Sequence, residues 1–251
     1  MTSENKNIQV VFNAGGLGTR LRPLTYYITK AMVPVLGKPF LFYQLELLKK
    51  HGFTRFLMCV GYKCDQIKGF FGDGSRFGAS INYSEEPEPL GTGGSLKYAE
   101  KFLDDVFLLL PADTLLDINF NALIDQHRLF NPTATMTLIK KQDPSQYGVA
   151  VLNGNQRIIK FVEKPKNFIG NNTNAGAIIL NKKILNYIQP NKLVSIEKDV
   201  YPILVEEGKM QSFVIDETYH LDIGVPERYK QFHEDILTGK VICDADGCKG
   251  S

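Results

Sequence analysis

Short apolar runs, too brief to be helices, recur through the first half of this chain and alternate with segments of helical spacing. Residues 8–12 (IQVVF), 55–60 (RFLMCV) and 106–110 (VFLLL) are such runs. Their length, β-branched content and flanking polar or glycine residues read as buried strands. Between them, residues 38–50 carry apolar side chains at 41, 45 and 48, with Gly52 just past the end as a stop signal. Residues 64–71 and 94–102 read as further helices and 79–83 as a strand. A chain that alternates strand and helix in this way is confined to a parallel sheet covered by helices on both faces.

The second half changes character. Residues 135–140, 149–152, 158–162 and 175–180 read as strands, and Asn153-Gly154-Asn155 is a hairpin turn signal. Helices are expected at 196–206, with Ser195 as N-cap, and at 227–237, between Pro226 and Gly239. The fold class is therefore α/β: a Rossmann-like mixed, mostly parallel central sheet flanked by helices, with a smaller antiparallel part. No internal repeat or low-complexity linker interrupts it. Residues 1–239 read as one domain, with 240–251 as a tail.

Bulk properties remove several function classes. A net charge of +2 over 251 residues leaves no electrostatic footprint for nucleic acid or an anionic membrane. The opening MTSENKN lacks the apolar core of a secretory signal. Residues 106–110 fall far short of the roughly 20 needed to span a bilayer. Cysteines 59, 64, 243 and 248 form no CxxC pair, which points to thiols in a reducing cytoplasm.

Positive charge must then act locally, and it is concentrated in NAGGLGTRLRPLT (residues 13–25). That loop sets Gly15, Gly16 and Gly18 beside Arg20 and Arg22, straight after the first strand. Backbone N–H groups bared by glycine, next to guanidinium, suit a bound polyphosphate. The spacing fits neither the dinucleotide fingerprint GxGxxG nor the Walker loop.

GGLGTRLRPLT, with Lys30 in TKAMVPVLGKP, resembles the signature of the sugar-1-phosphate nucleotidylyltransferases. EPLGTGGSL (88–96), LLLPADTL (108–115), FVEKP (161–165), TNAGAIIL (173–180) and YHLDIGVPERY (219–229) are similar to later motifs of that family, in the family's order. The resemblance covers about residues 8–238 and implies the nucleotide-diphospho-sugar transferase fold, its antiparallel part binding sugar. It also implies attack by a sugar 1-phosphate on the α-phosphorus of a nucleoside triphosphate, with release of pyrophosphate. A phosphate monoester, with a second pKa near ~6, is mostly dianionic at neutral pH and needs no general base. Catalysis then reduces to charge neutralisation and in-line positioning.

By the same resemblance Arg20, Lys30 and Lys164 are the catalytic cations, Lys164 gripping the sugar phosphate. Ala14, Gly15, Gly16, Gly18, Thr19, Glu88, Gly91 and Thr92 face the nucleotide. Gly148, Glu163, Asn174 and Gly176 face the sugar, and Asp113 and Asp222 hold Mg2+. Both aspartates follow apolar segments, where an α/β sheet opens its ligand crevice.

For the base, Glu85, Glu86 and Glu88 stand where thymidylyl- and uridylyl-transferring relatives commonly have glutamine. A carboxylate only accepts, and guanine offers two adjacent donors. The expectation is GTP with mannose or manno-heptose 1-phosphate. Cytidylyl, thymidylyl or uridylyl transfer stays open, and Asn13 in place of an aliphatic residue favours the first of these. A non-catalytic nucleotide-sugar sensor is the other alternative, disfavoured because every charged motif residue is present. The tail KVICDADGC resembles the opening motif of haloacid-dehalogenase-type phosphatases, with Asp244 and Asp246 in the acidic positions. It suggests the start of a fused phosphatase domain. A homo-oligomer is also compatible with the sequence.

Overall fold

The computed structural model describes residues 8–216 and 218–241. In chain order the elements are β1 (Gln9–Asn13), β2 (Pro34–Val35), β3 (Lys38–Pro39), α1 (Phe40–Lys50), β4 (Arg55–Val60), α2 (Cys64–Phe71), β5 (Ser80–Glu85) and α3 (Gly91–Tyr98). Next come β6 (Val106–Pro111), β7 (Thr114–Leu116), α4 (Phe120–Phe130), β8 (Ala134–Lys140), β9 (Gly148–Leu152), β10 (Ile158–Glu163) and β11 (Asn172–Asn181). The chain closes with α5 (Tyr201–Glu206), β12 (Met210–Ile215), β13 (His220–Asp222) and α6 (Pro226–Leu237).

Nine strands form one mixed sheet. β6, β1, β4 and β5 run parallel, while β11 is antiparallel to β6, β8 and β9. β10 pairs antiparallel with β9, and β12 lies parallel beside β8. The period-2 geometry of a strand sends alternate side chains to opposite faces. Val10, Phe12, Phe56, Met58, Leu108 and Leu110 accordingly join one buried cluster, with α1, α4 and α6 over it. Val11, Leu57, Cys59, Phe107 and Leu109 join a second cluster under α3 and α5. Burial on both faces explains why these strands read as unbroken apolar runs.

Two expected helices differ. The 94–102 segment is α3 beginning at Gly91, followed by a separate 3-10 turn at Glu100–Phe102. Its glycines are there for close packing: a Cβ at Gly91 or Gly94 would run into the backbone of Val194 or Lys192. The 196–206 segment is a π turn (Ile196–Val200) followed by α5. Pro202 lacks the N–H that would continue one ladder. Ser195 does cap the turn, its side chain accepting from the Lys198 N–H. The tail motif, Asp244 and Asp246 included, lies outside the described residues.

Candidate active site

The glycine loop leaves the sheet at the carboxyl ends of β1, β4 and β6, where parallel sheets bind ligands. The Ala14 N–H donates to Cys59 O, and Asn13 O accepts from Ala112 N–H, so the loop is stitched to both neighbouring strands. The three glycines serve different ends. A Cβ on Gly15 would collide with the Glu86 carboxylate, and one on Gly18 would press on Thr25 and Lys30. Gly18 also has φ of 61°, and Gly16 faces open space. Thr19 and Arg20 begin the 3-10 turn that follows, with Arg20 exposed. Thr25 Oγ1 closes the loop on Gly18 O at 2.9 Å.

Four of the predicted charged residues come together. The position a Gly224 Cβ would occupy lies 2.5 Å from Asp222 Oδ1, 3.0 Å from Arg20 Nη2 and 3.1 Å from Lys30 Nζ. Lys30 forms an ion pair with Asp113. Asp113 and Asp222 are neighbours because β7 and β13 form a short antiparallel ribbon, with Asp222 opposite Thr114 and the Ile223 N–H donating to Asp113 O at 2.9 Å. A cavity of about 200 Å³ runs beside this cluster, lined by Asn13, Gly16, Lys30, Thr92, Pro111 and Asp113. The Asn13 amide is already engaged, donating to Thr92 O.

Two carboxylates and no nitrogen or sulfur donors make a set suited to a hard divalent cation that keeps water and substrate oxygens in its remaining positions. No cluster of three or more potential protein ligands exists among the described residues. The chemistry of the two carboxylates fits a divalent cation.

The residues expected to face the sugar lie on β9, at the end of β10 and on β11. Gly148 pairs directly with Glu163, and a Cβ there would collide with Phe161 and the Glu163 carboxylate. Burial, with Glu197 nearby, pushes the Glu163 carboxyl up from its usual range. Lys164 is 53% exposed along its side chain, with Nζ 3.9 Å from Glu163 Oε1. Its backbone is left-handed (φ 49°), and its N–H donates to Tyr147 O at 3.0 Å. Asn174 Oδ1 accepts from the Gly176 N–H at 2.9 Å, shaping a bulge in β11. Gly176, at φ 95°, lets that bulge lie against Pro111. These two residues support the crevice floor through backbone shape.

The predicted base-facing glutamates separate into three roles. Glu85 is taken by Cys64 Sγ and Lys68 Nζ. Glu88 is exposed on the rim of a cavity of about 570 Å³. Glu86 is the half-buried one on the same cavity wall, and desolvation pushes its carboxyl up. Its Oε2 is buried without a hydrogen-bond partner. Thr92 lines the cavity beside Lys30, while its Oγ1 donates to Glu197 Oε2 at 2.7 Å and accepts from the Ile196 N–H. Gly91 packs on Val194.

Sequence reasoning missed several site residues. Arg228 grips Asp222 with Nη2 at 2.8 Å from Oδ2, and its Nη1 donates to Tyr147 Oη at 3.2 Å. Lys141 lies near Arg228 and Asp222, and burial lowers its ammonium from the usual value. His220, pushed down to about 4 by burial, is neutral at pH 7. Arg228 lies six residues after Asp222 on the first turn and a half of α6, a spacing a reader could have used.

The sequence pattern of the nucleotidyl transferase family matches residues 10–239. A curated mannose-1-phosphate guanyltransferase of Debaryomyces hansenii is 39% identical over 234 residues, covering 91% of this chain and 62% of that protein. Its counterpart in Saccharomyces cerevisiae is 38% identical with the same coverage. The chain thus spans about three-fifths of the length of these curated relatives. Among solved structures, HddC from Yersinia pseudotuberculosis superposes with a TM-score of 0.78 at 31% identity, covering 91% of this chain and 99% of its own. HddC complexed with GMP-PN gives 0.76 at 30% identity, with the same coverage. No helix among the described residues is long and apolar enough to cross a membrane.

Proposed function

Since this chain belongs to the nucleotidyl transferase family, we propose that it condenses GTP with a sugar 1-phosphate, mannose or manno-heptose 1-phosphate, giving a GDP-sugar and pyrophosphate. The observation that carries the reading is the cluster at Gly224, where Arg20, Lys30 and Asp222 meet and Asp113 joins through Lys30. Such a cluster has little structural purpose on the rim of a sheet, and it suits two anions that must touch.

Derived from the residues, the mechanism needs no proton acceptor. The sugar phosphate is a dianion at neutral pH, and its oxygen attacks the α-phosphorus as the bond to the pyrophosphate oxygen breaks. Arg20 neutralises the leaving pyrophosphate. Lys30, released from Asp113 onto phosphate, lowers the repulsion between nucleophile and target. Lys164 holds the sugar phosphate in line. Asp113 and Asp222 would hold Mg2+, which supplies further charge neutralisation on the phosphates. Gly16 leaves room for the triphosphate to approach the backbone.

Guanine fits the wall cavity through Glu86. The half-buried Glu86 carboxylate lines that cavity, and the guanine edge presents N1–H and a 2-amino group to such an acceptor. Glu88, on the rim, is a weaker candidate. One Asn13 N–H is already engaged by Thr92 O, which weakens the feature that favoured cytosine. The guanyltransferase names of the relatives and the GMP-PN complex of HddC support GTP. A cytoplasmic setting suits the free Cys59 and Cys64 thiols.

The test is a matrix of four nucleoside triphosphates against several sugar 1-phosphates with Mg2+, read by pyrophosphate. GTP with a manno-configured sugar is expected to lead. Binding without pyrophosphate from any pair would mark a sensor, and a lead by another nucleotide would reassign the base.

A further inference from the structure

The two proposed anion sites are joined by a single side chain, Arg228, six residues beyond Asp222 in the same motif. The three donor positions of Arg228 are all engaged. Nε donates to Asp222 O at 2.8 Å, Nη2 meets Asp222 Oδ2 at 2.8 Å, and Nη1 donates to Tyr147 Oη at 3.2 Å. Tyr147 in turn offers its backbone O to the Lys164 N–H at 3.0 Å. Lys164 sits at φ 49°, which an L residue with a long side chain adopts only when its surroundings hold it there. A continuous path of directional bonds therefore runs from Lys164 through Tyr147 and Arg228 to Asp222, which shares the Gly224 cluster with Arg20 and Lys30. The Lys141 ammonium, 5.9 Å from the Tyr147 ring centroid, packs the phenol from another side.

Guanidinium suits such a brace because its donors are planar and fixed, so one group can clamp a carboxylate and still direct a third bond elsewhere. We infer that Arg228 is a positioning residue that couples the sugar-phosphate site to the triphosphate site, setting the left-handed Lys164 backbone by way of Tyr147. The inference rests on the nucleotidyl-transfer reading for its substrates. A shared hydroxyl bond is the weak link of the brace, so cutting it at Tyr147 should disturb the sugar side and leave the Asp222 side intact.

The experiment compares Tyr147→Phe, Arg228→Gln, Arg228→Lys and the Tyr147→Phe/Arg228→Gln double variant. KM for sugar 1-phosphate, KM for GTP and the Mg2+ requirement are measured in each. Thermal midpoints, and calorimetric binding of the sugar 1-phosphate alone, are recorded alongside. Tyr147→Phe should raise sugar 1-phosphate KM and its calorimetric Kd about fivefold, less than the loss of a hydrogen bond to the substrate itself, because the lost bond reaches the sugar only through Lys164. GTP KM, Mg2+ requirement and melting should stay as in wild type. Arg228→Gln should raise the same sugar values by about tenfold or more and also raise the Mg2+ requirement, with Arg228→Lys partly rescuing the latter only. The double variant should bind sugar no worse than Arg228→Gln, because both changes cut one link. Additive losses, or equal losses for sugar and GTP in Tyr147→Phe, would overturn the brace. A wild-type chain that binds both substrates but makes no pyrophosphate would overturn the nucleotidyl-transfer reading instead, with the calorimetric values still deciding the brace.

Discussion

The glycine loop with the Lys30 turn beyond it and the hairpin that ends in Lys164 both carry cations of the proposed site, and they hold them by opposite means. Beside the loop the Lys30 cation is buried and partnered before any ligand arrives, while Arg20 within the loop is exposed. Lys30 is only 14% exposed along its side chain and already paired with Asp113, and the backbone is stitched to Cys59 and Ala112. In the hairpin Lys164 is 53% exposed, and its nearest carboxylate oxygen is 3.9 Å away. What is fixed there is the backbone, held left-handed by Tyr147. On the proposed reading the triphosphate side is therefore organised through buried charge, and the sugar side through backbone geometry with an exposed tip. On the proposed mechanism the first kind asks only that Lys30 exchange Asp113 for phosphate, whereas the second relies on the exposed Lys164 side chain.

The largest effect expected from this contrast is at the preorganised side. Asp113→Asn should lower kcat by about 10²–10³-fold, the range seen when one preorganised electrostatic partner is lost, with an unchanged circular-dichroism spectrum and melting curve. Normal Mg2+-dependent turnover in steady-state assays would remove Asp113 from the metal pair. Next comes Lys164→Ala, which should raise sugar 1-phosphate KM by about tenfold or more, as for a lost charge-assisted hydrogen bond. GTP KM should change less than about twofold, and equal shifts in both would dissolve the distinction between the two regions.

Much of the loop was legible before any coordinates, because its logic is local. Glycines next to arginines after a buried strand announce bare backbone and charge, and the two-faced alternation of β1, β4 and β6 announces the sheet that carries them. The hairpin side was less so. β7 and β13 are three residues each, too short to show a period, yet their pairing is what brings Asp113 beside Asp222. Gly91 reads from sequence as facing the nucleotide. The backbone it packs against, at Val194, lies about a hundred residues away in sequence and leaves no local signal. Helix α4 was missed although Phe120, Leu123, Ile124 and His127 have helical spacing behind the Asn119 cap. Arg228 reads as an ordinary surface arginine of a helix until the fold turns it back onto Asp222.

The base wall gives a subtler contrast within the nucleotide half. Glu86→Gln should narrow the GTP-to-CTP preference in kcat/KM by about fivefold to tenfold, since guanine loses a paired acceptor. Glu88→Gln, on the exposed rim, should leave that ratio within about twofold. Reversal of the two outcomes in competition assays would move base contact to Glu88. A smaller effect than at Glu86 is expected at Gly16, whose added methyl meets no protein atom within 4 Å. Gly16→Ala should melt as wild type does and raise GTP KM by about threefold, the added methyl obstructing the approach of phosphate to the backbone. An unchanged KM would mean that the open space there is only solvent.

The most direct test follows the phosphorus atoms. GTP labelled on either its α- or its γ-phosphate is incubated with mannose 1-phosphate or manno-heptose 1-phosphate and Mg2+, and the products are separated. The account predicts α-label in the sugar-linked nucleotide and γ-label in pyrophosphate, in equal amounts. Label from the γ-position on the sugar, or released as free phosphate, would show that Arg20, Lys30, Asp113 and Asp222 serve a different transfer and would contradict the account.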